Sequence, residues 1–137
     1  MRPEDLLIPT PEGLYCPPAG VVIDPLRPVA RALVTHAHSD HARPGHDAVL
    51  ATRETLEIMA LRLGENFTHA RRAARLGERI RLGEVDVSFH PAGHIRGSAQ
   101  IRLEWRGFVA VVSGDYKRAA DPTCAPFEPL ACDLFVT

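Results

Sequence analysis

Four metal-capable side chains fall within six residues, His36-Ala37-His38-Ser39-Asp40-His41, directly after the apolar run Ala32-Leu33-Val34-Thr35. A buried strand that ends in such a cluster must deliver it to the rim of a sheet, where a rigid layer holds the ligands and solvent still reaches them. Residues two apart in an extended chain point the same way, so His36 and His38 can reach one metal together. If the chain turns after them, Asp40 and His41 face a neighbouring point and can serve a second. Imidazole and carboxylate suit zinc, and carboxylate sharing also admits manganese. A single loop histidine most often satisfies a nearby carbonyl. Three histidines and an aspartate at this spacing point to metal.

Two later residues fit the same constellation. His94 lies in the glycine-flanked stretch Pro91-Ala92-Gly93-His94-Ile95-Arg96-Gly97-Ser98-Ala99, between two strand patterns. Asp115 follows Val109-Ala110-Val111-Val112, the most hydrophobic strand pattern of the chain, in Ser113-Gly114-Asp115-Tyr116. Glycines beside ligands let backbone approach a metal or substrate closely. Either residue alone is weak; their force comes from joining the first cluster.

The rest of the chain supplies a sheet scaffold. Leu6-Leu7-Ile8, Leu14-Tyr15-Cys16 and Val21-Val22-Ile23 are short apolar runs separated by Pro and Gly, which predicts a β-meander. Ala48-Val49-Leu50-Ala51 reads as a strand. Thr52 is placed to cap a helix over Arg53 to Leu63, with Leu56, Met59, Ala60 and Leu63 at helical spacing and Gly64 as its stop. Asn66 to Arg79 is polar, Arg-rich and weakly periodic, and reads as a connector with a helical turn. Val85, Val87 and Phe89 alternate with polar residues, as does Gln100 to Trp105, and Arg106-Gly107 predicts a hairpin turn. Asp133 to Thr137 begins one more strand.

With 137 residues, one domain is expected; 45% hydrophobic and 24% charged residues suit a folded core. A net charge of −1 offers no global attraction for nucleic acid, though a local basic groove is compatible with it. Lys117 is the lone lysine among 16 basic residues. The arginine excess suits phosphate recognition, but a GC-rich coding bias produces the same skew. No stretch approaches the ~20 apolar residues of a membrane span, and the first residues lack a signal-peptide core. Three cysteines (Cys16, Cys124, Cys132), with no Cys-x-x-Cys pair, predict a reduced cytoplasmic protein rather than a disulfide scaffold.

The His-x-His-x-Asp-His run, the later Gly-His in a Gly-Ser loop, and Ser-Gly-Asp together resemble the ligand motifs of the metallo-β-lactamase superfamily. Asp24, at the end of Val21-Val22-Ile23, resembles that superfamily's buried aspartate that buttresses the ligand loop. Pro91-Ala92-Gly93-His94 with Gly97-Ser98-Ala99, and Ser113-Gly114-Asp115-Tyr116-Lys117, are similar to the β-CASP nucleases. Leu14-Tyr15-Cys16-Pro17-Pro18 and Asp121-Pro122-Thr123-Cys124-Ala125-Pro126-Phe127-Glu128-Pro129 resemble the bacterial DNA ligase-associated exonucleases. The resemblance implies an α/β metallo-β-lactamase fold, an αββα sandwich. It implies that residues 1–137 are the N-terminal half, with the sheet truncated at its C-terminus and the β-CASP insert and C-terminal half absent.

The resemblance also assigns roles. His36, His38 and His94 would hold the first of two divalent ions, Asp40 and His41 the second, and Asp115 would bridge them, with zinc expected and manganese admitted. A further histidine, beyond Thr137 in the family, would complete the second site. Asp40 would also orient the water. The expected activity is a DNA exonuclease working in repair beside an ATP-dependent DNA ligase and a helicase, by attack of hydroxide shared between two ions about 3.5–4 Å apart. The same motifs serve RNA 3′-end processing nucleases and small-ester hydrolases, and a non-catalytic fragment is a third reading. Lys117 and Arg118, just past Asp115, are candidate phosphate contacts. Arg71, Arg72 and Arg75 read first as a solvated face. His46, His69 and His90 read as surface or supporting residues.

Overall fold

A computed structural model describes residues 2–137, so Met1 lies outside it. A one-turn helix, α1 (Pro3–Leu6), opens the chain, with proline at its start and the Arg2 amide donating to Asp5 Oδ2 at 2.8 Å. Six strands follow as one sheet in chain order: β1 (Ile8–Thr10), β2 (Gly13–Cys16), β3 (Val21–Ile23), β4 (Arg31–Leu33), β5 (His46–Thr52) and β6 (Thr68–Ala74). The first three pair antiparallel, and β3 to β6 run parallel. The helix α2 (Arg53–Leu63) makes the crossover between β5 and β6. A second sheet holds β7 (Ile80–Leu82), β8 (Val85–Pro91), β9 (Ala99–Trp105) and β10 (Phe108–Val112) as an antiparallel meander. A last short strand, β11 (Leu134–Val136), lies parallel to β10 at its edge.

The alternation in the sequence explains how the sheets face each other. Val85, Val87 and Phe89 of β8 and Ile101 and Leu103 of β9 are fully buried, and they meet Val21, Ile23, Leu33 and Leu50 from the first sheet. Burying each such side chain contributes roughly 1.5–3 kcal/mol. The opposite face of the first sheet buries Ala32, Val34, Val49 and Ala51 under Leu56 and Met59 of α2. The outer face of the second sheet carries polar side chains, including an Arg102–Glu104 pair at 2.7 Å. Among the described residues no helix is long and apolar enough to cross a membrane.

The helix follows its expected bounds. Thr52 Oγ1 accepts from the Thr55 amide at 3.3 Å, and Gly64, at φ +96°, closes the C-terminus. Two segments differ from expectation. Residues 66–79 contain the seven-residue strand β6, not a helical turn. It is the outermost strand of its sheet with residues 69–73 all exposed, so neither face imposes the alternation that marks a strand. The run Leu6-Leu7-Ile8 is divided: Leu6 ends α1 and only Ile8 enters a strand, because Pro3 and the acidic first turn nucleate a helix there.

Cys16 is fully buried in the core between the sheets, and this burial pushes its thiol from the ordinary 9.0 to about 11, the Ala19 backbone only partly opposing the shift. Because the folded pKa is the higher one, the unfolded chain loses this proton first as pH rises. The stability it contributes is complete below pH 9.0 and is lost towards pH 11. The urea midpoint should therefore fall more steeply between pH 8.5 and 10.5 in the native chain than in a Cys16→Val variant, and equal slopes would refute the assignment.

Candidate metal centre

Strands β3, β4, β8 and β10 all deliver their carboxyl ends to one edge of the sandwich, and the motif residues lie just past those ends: Asp24, His36 to His41, His94 and Asp115. Directly beneath them the two sheets are tied, since the Ala99 amide donates to Thr35 O at 2.8 Å. Beyond His38 the chain turns, with the His41 and Ala42 amides both donating to His38 O at 2.9 and 2.8 Å. That turn swings Asp40 and His41 away from the extended direction set by His36 and His38. Arg62 of α2 donates to Ala37 O at 3.0 Å and holds the loop from the helical side.

The four ligands expected at one point converge: His36, His38, His94 and Asp115 each offer an atom within 4.8 Å of the others. His38 Nδ1 and His94 Nε2 stand 3.1 Å apart, their rings near-perpendicular. A second group of the same tightness joins Asp40 and His41, with His36 again included. Asp115 faces both groups. Its Oδ2 lies 3.5 Å from His36 Nε2 and 3.7 Å from His94 Nε2, while Oδ1 lies 3.7 Å from His41 Nε2. One carboxylate oxygen for each group is the disposition a bridging ligand needs.

Asp24 organises the protons behind these ligands. It sits at φ +47°, a conformation aspartate tolerates better than most residues, and accepts from the Thr35 amide through Oδ1 at 2.8 Å. Its Oδ2 accepts from Thr35 Oγ1 at 2.7 Å and pairs with His41 Nδ1 at 2.7 Å. The Thr35 hydroxyl has one proton, and Asp24 takes it. At 2.9 Å from His36 Nδ1, the same oxygen can then only accept, so His36 carries its proton on Nδ1. His36 thereby keeps a bare Nε2 aimed at the ligand cluster, and His41, its Nδ1 committed to Asp24, turns Nε2 towards the same cluster. His36 Nε2 is buried with no hydrogen-bond partner, an uncompensated acceptor that a cation would satisfy.

The electrostatics agree. Burial, followed by the charge of His41, pushes His36 down to about 4, with Asp115 opposing, so its imidazole is neutral near pH 7, as ligation requires. The hydrogen bond to Asp24 raises His41 above the usual histidine range despite its partial burial. An imidazole that donates to a carboxylate on one side is a more basic ligand on the other. The residues present therefore fit a divalent cation.

The parts that several residues play in supporting the site were not read from the sequence, because each is an ordinary hydroxyl or amide. Thr35 is one; Ser98 is another, its Oγ accepting from the His94 and Ile95 amides at 3.0 and 3.2 Å and fixing the His94 loop. Thr52 and Thr55 of the α2 N-terminus both donate to Gly97 O, at 2.7 and 3.1 Å. The one available signal was position, since Thr35 immediately precedes the cluster.

Gly114 has a steric role. At φ +56°, a Cβ there would lie 2.6 Å from Thr35 Oγ1. Gly114→Ala should cost about 2–3 kcal/mol from strain and displacement of Thr35. Chemical denaturation measures this, and a loss below about 0.5 kcal/mol would show the contact to be soft.

The remaining candidates lie elsewhere. Lys117 is exposed, with Nζ 3.4 Å from Asp121, and Arg118 is exposed without an ion pair among the described residues. His90 bonds Ser88 at 2.8 Å and Glu128 at 3.2 Å, outside the ligand groups. His46 is buried and accepts from the Val29 amide, a structural role. Arg71 pairs with Glu65 and lies over the Phe67 ring.

No family model matches the chain. It is 36% identical to part of a probable DNA ligase of Opitutus terrae, over 86% of this chain and 12% of that one. It is 33% identical to part of a ribonuclease of Thermus thermophilus, over 77% of this chain and 30% of that one. The chain thus spans about an eighth and under a third of these relatives. Its structure superposes on a motif variant of a Cronobacter sakazakii metallo-β-lactamase with a TM-score of 0.55 at 18% identity, covering 85% of this chain and 57% of that one. The fold is the metallo-β-lactamase fold.

Proposed function

We propose that this metallo-β-lactamase-fold chain carries the metal centre of a metal-dependent phosphodiesterase, specifically a DNA exonuclease that works in repair beside a DNA ligase. The observation that carries the reading is Asp115, whose two oxygens face the His36/His94 and His41 sides of one cluster. Two ions are the assignment that disposition favours, zinc first by donor type and manganese second. His36, His38 and His94 would hold one, Asp40 and His41 the other. The match to a segment of a probable DNA ligase supports DNA as substrate and the ligase as working partner.

When bound, divalent ions lower the pKa of water to about 7 and offset the charge that builds on a phosphoryl group. The chain's own residues do the rest. Asp24 and Thr35 set the tautomers that leave His36 and His41 ready to ligate. Asp40, the most exposed of the cluster with 71% of its side chain open, would orient a water and accept its proton. Ser98 holds the His94 backbone in register. The two sheets fix these groups before substrate arrives, which is the preorganisation phosphoryl chemistry depends on.

The ribonuclease relative favours a second reading, RNA as substrate of the same centre. Incubating the metal-loaded chain with Mn²⁺ or Zn²⁺ and end-labelled single-stranded DNA, duplex DNA and RNA separates them. Stepwise shortening of DNA is expected. Degradation of RNA alone would overturn the DNA assignment, and cleavage of none would overturn the phosphodiesterase.

A further inference from the structure

The segment that leaves Asp115 is a strap pinned across the His94 loop. Near its start the Lys117 amide donates to Ala92 O at 2.9 Å; at its far end the Glu128 amide donates to Pro91 O at 3.1 Å. The buried Gln100 amide donates to Pro91 O and to Glu128 O, at 3.0 and 2.7 Å. Gly93 admits this close approach, since a Cβ there would stand 2.5 Å from Lys117 O. His90 braces the Glu128 side chain at 3.2 Å. Asp121, bonded by the Thr123 amide and hydroxyl and 3.4 Å from Lys117 Nζ, shapes the turn between.

This fixed strap presents aromatic surface beside the ligands. Tyr116 directly follows Asp115 and is 38% exposed. Its ring leans on Phe127 at 5.2 Å between centroids and meets the edge of Phe135, itself 42% exposed, at 6.0 Å. The Tyr116 hydroxyl makes no hydrogen bond among the described residues. Lys117 and Arg118 are exposed immediately beyond it. Flat aromatic faces beside Arg118, which has no ion pair among the described residues, and Lys117, which shares its charge with Asp121, match a polyanion with free π-faces. An unpaired nucleic-acid strand offers both, whereas a duplex hides its base faces in the stack.

We infer that Tyr116, backed by Phe127 and Phe135, is a base-stacking platform, and that the substrate is an unpaired strand whose base beside the scissile phosphodiester lies on that ring. Lys117 and Arg118 take the adjacent phosphates. The inference rests on the nucleic-acid phosphodiesterase reading above and deepens it by naming strandedness.

The test is the fluorescence of a single-stranded oligonucleotide carrying 2-aminopurine next to its terminus, titrated with the metal-loaded full chain. Stacking quenches this base. The native chain and Tyr116→Phe should quench it, and a blunt duplex should bind at least about tenfold more weakly. Tyr116→Ala and Tyr116→Leu should lose the quench and about tenfold in single-strand affinity, appearing as a raised KM. Tyr116→Leu keeps apolar packing against Phe127 and Phe135, and metal content with thermal melting certifies each fold. Undiminished quenching in a folded Tyr116→Leu, or equal affinity for duplex, overturns the platform. Hydrolysis of bis(p-nitrophenyl) phosphate, which has no base, reports the metal centre separately. A native chain that cleaves it without quenching the probe refutes the platform alone. One that quenches the probe and cleaves no phosphodiester supports the platform and refutes the enzyme reading.

Discussion

Asp115→Ala is expected to lower phosphodiester hydrolysis by at least roughly 10³-fold, about 4 kcal/mol of transition-state stabilisation. Both ligand groups face this carboxylate, so its removal breaks their shared edge, not one contact. The side chain is 49% exposed and its ion pairs among the described residues are all with histidines of the cluster, so stability of the metal-free chain should change by no more than about 0.5 kcal/mol. Metal titration followed by a hydrolysis assay checks the first statement, and urea denaturation the second. Retained activity at unchanged metal content would show that the bridging assignment is wrong. Lost activity with a collapsed fold would show that Asp115 is structural.

Asp24→Ala should fail differently, through the fold as well as the metal. Three groups lose their acceptor together: the Thr35 amide, the Thr35 hydroxyl and the His41 ring. Thr35 is itself buried, and an unpaired buried donor costs about 1–3 kcal/mol. Alanine also fits poorly at φ +47°. A total loss of about 3–4 kcal/mol in unfolding free energy follows. Metal affinity should fall by about 10- to 100-fold, because His36 and His41 lose the partner that fixes their tautomers. Asp24→Asn separates the two effects. It keeps the shape and tolerates positive φ, so much of the stability returns, yet it lacks the charge that raises His41. If Asp24→Asn binds metal as tightly as the native chain, the tautomer argument fails.

Sequence patterns were most informative where a face is buried. The α2 bounds were readable because Thr52 and Gly64 punctuate it and Leu56 and Met59 lie on the side packed against the first sheet. Strands β8 and β9 were readable because their inner faces meet the core and their outer faces meet solvent. Strand β6 was not, since its exposed centre leaves Arg71 and Arg72 with no patterned partner and only the backbone of β5 makes it a strand. The residues of the His/Asp cluster were legible as candidates because liganding demands particular side chains at particular spacings. Of their supports only Asp24 was singled out. Thr35, Ser98 and Gln100 act through single hydrogen bonds, and nothing in a hydroxyl or an amide announces which acceptor it will meet.

Length and composition, the histidine cluster after an apolar strand, and the glycine-flanked His94 and Asp115 established by themselves a sheet-based domain with a metal-capable rim. That follows because periodicity and ligand chemistry are local properties of the chain. The convergence of residues 36–41, 94 and 115 on one point was decided by tertiary structure, through the parallel exit of β4, β8 and β10 at a common edge. So were the proton positions on His36 and His41, which depend on Asp24 from a third strand end. The strap that sets Tyr116 beside Asp115 is likewise a product of packing, held by Pro91 and Ala92 carbonyls that no reading of the strap alone could locate. Distances between segments far apart in sequence arise only when the two sheets close on their core, and the chemistry of this rim resides in those distances.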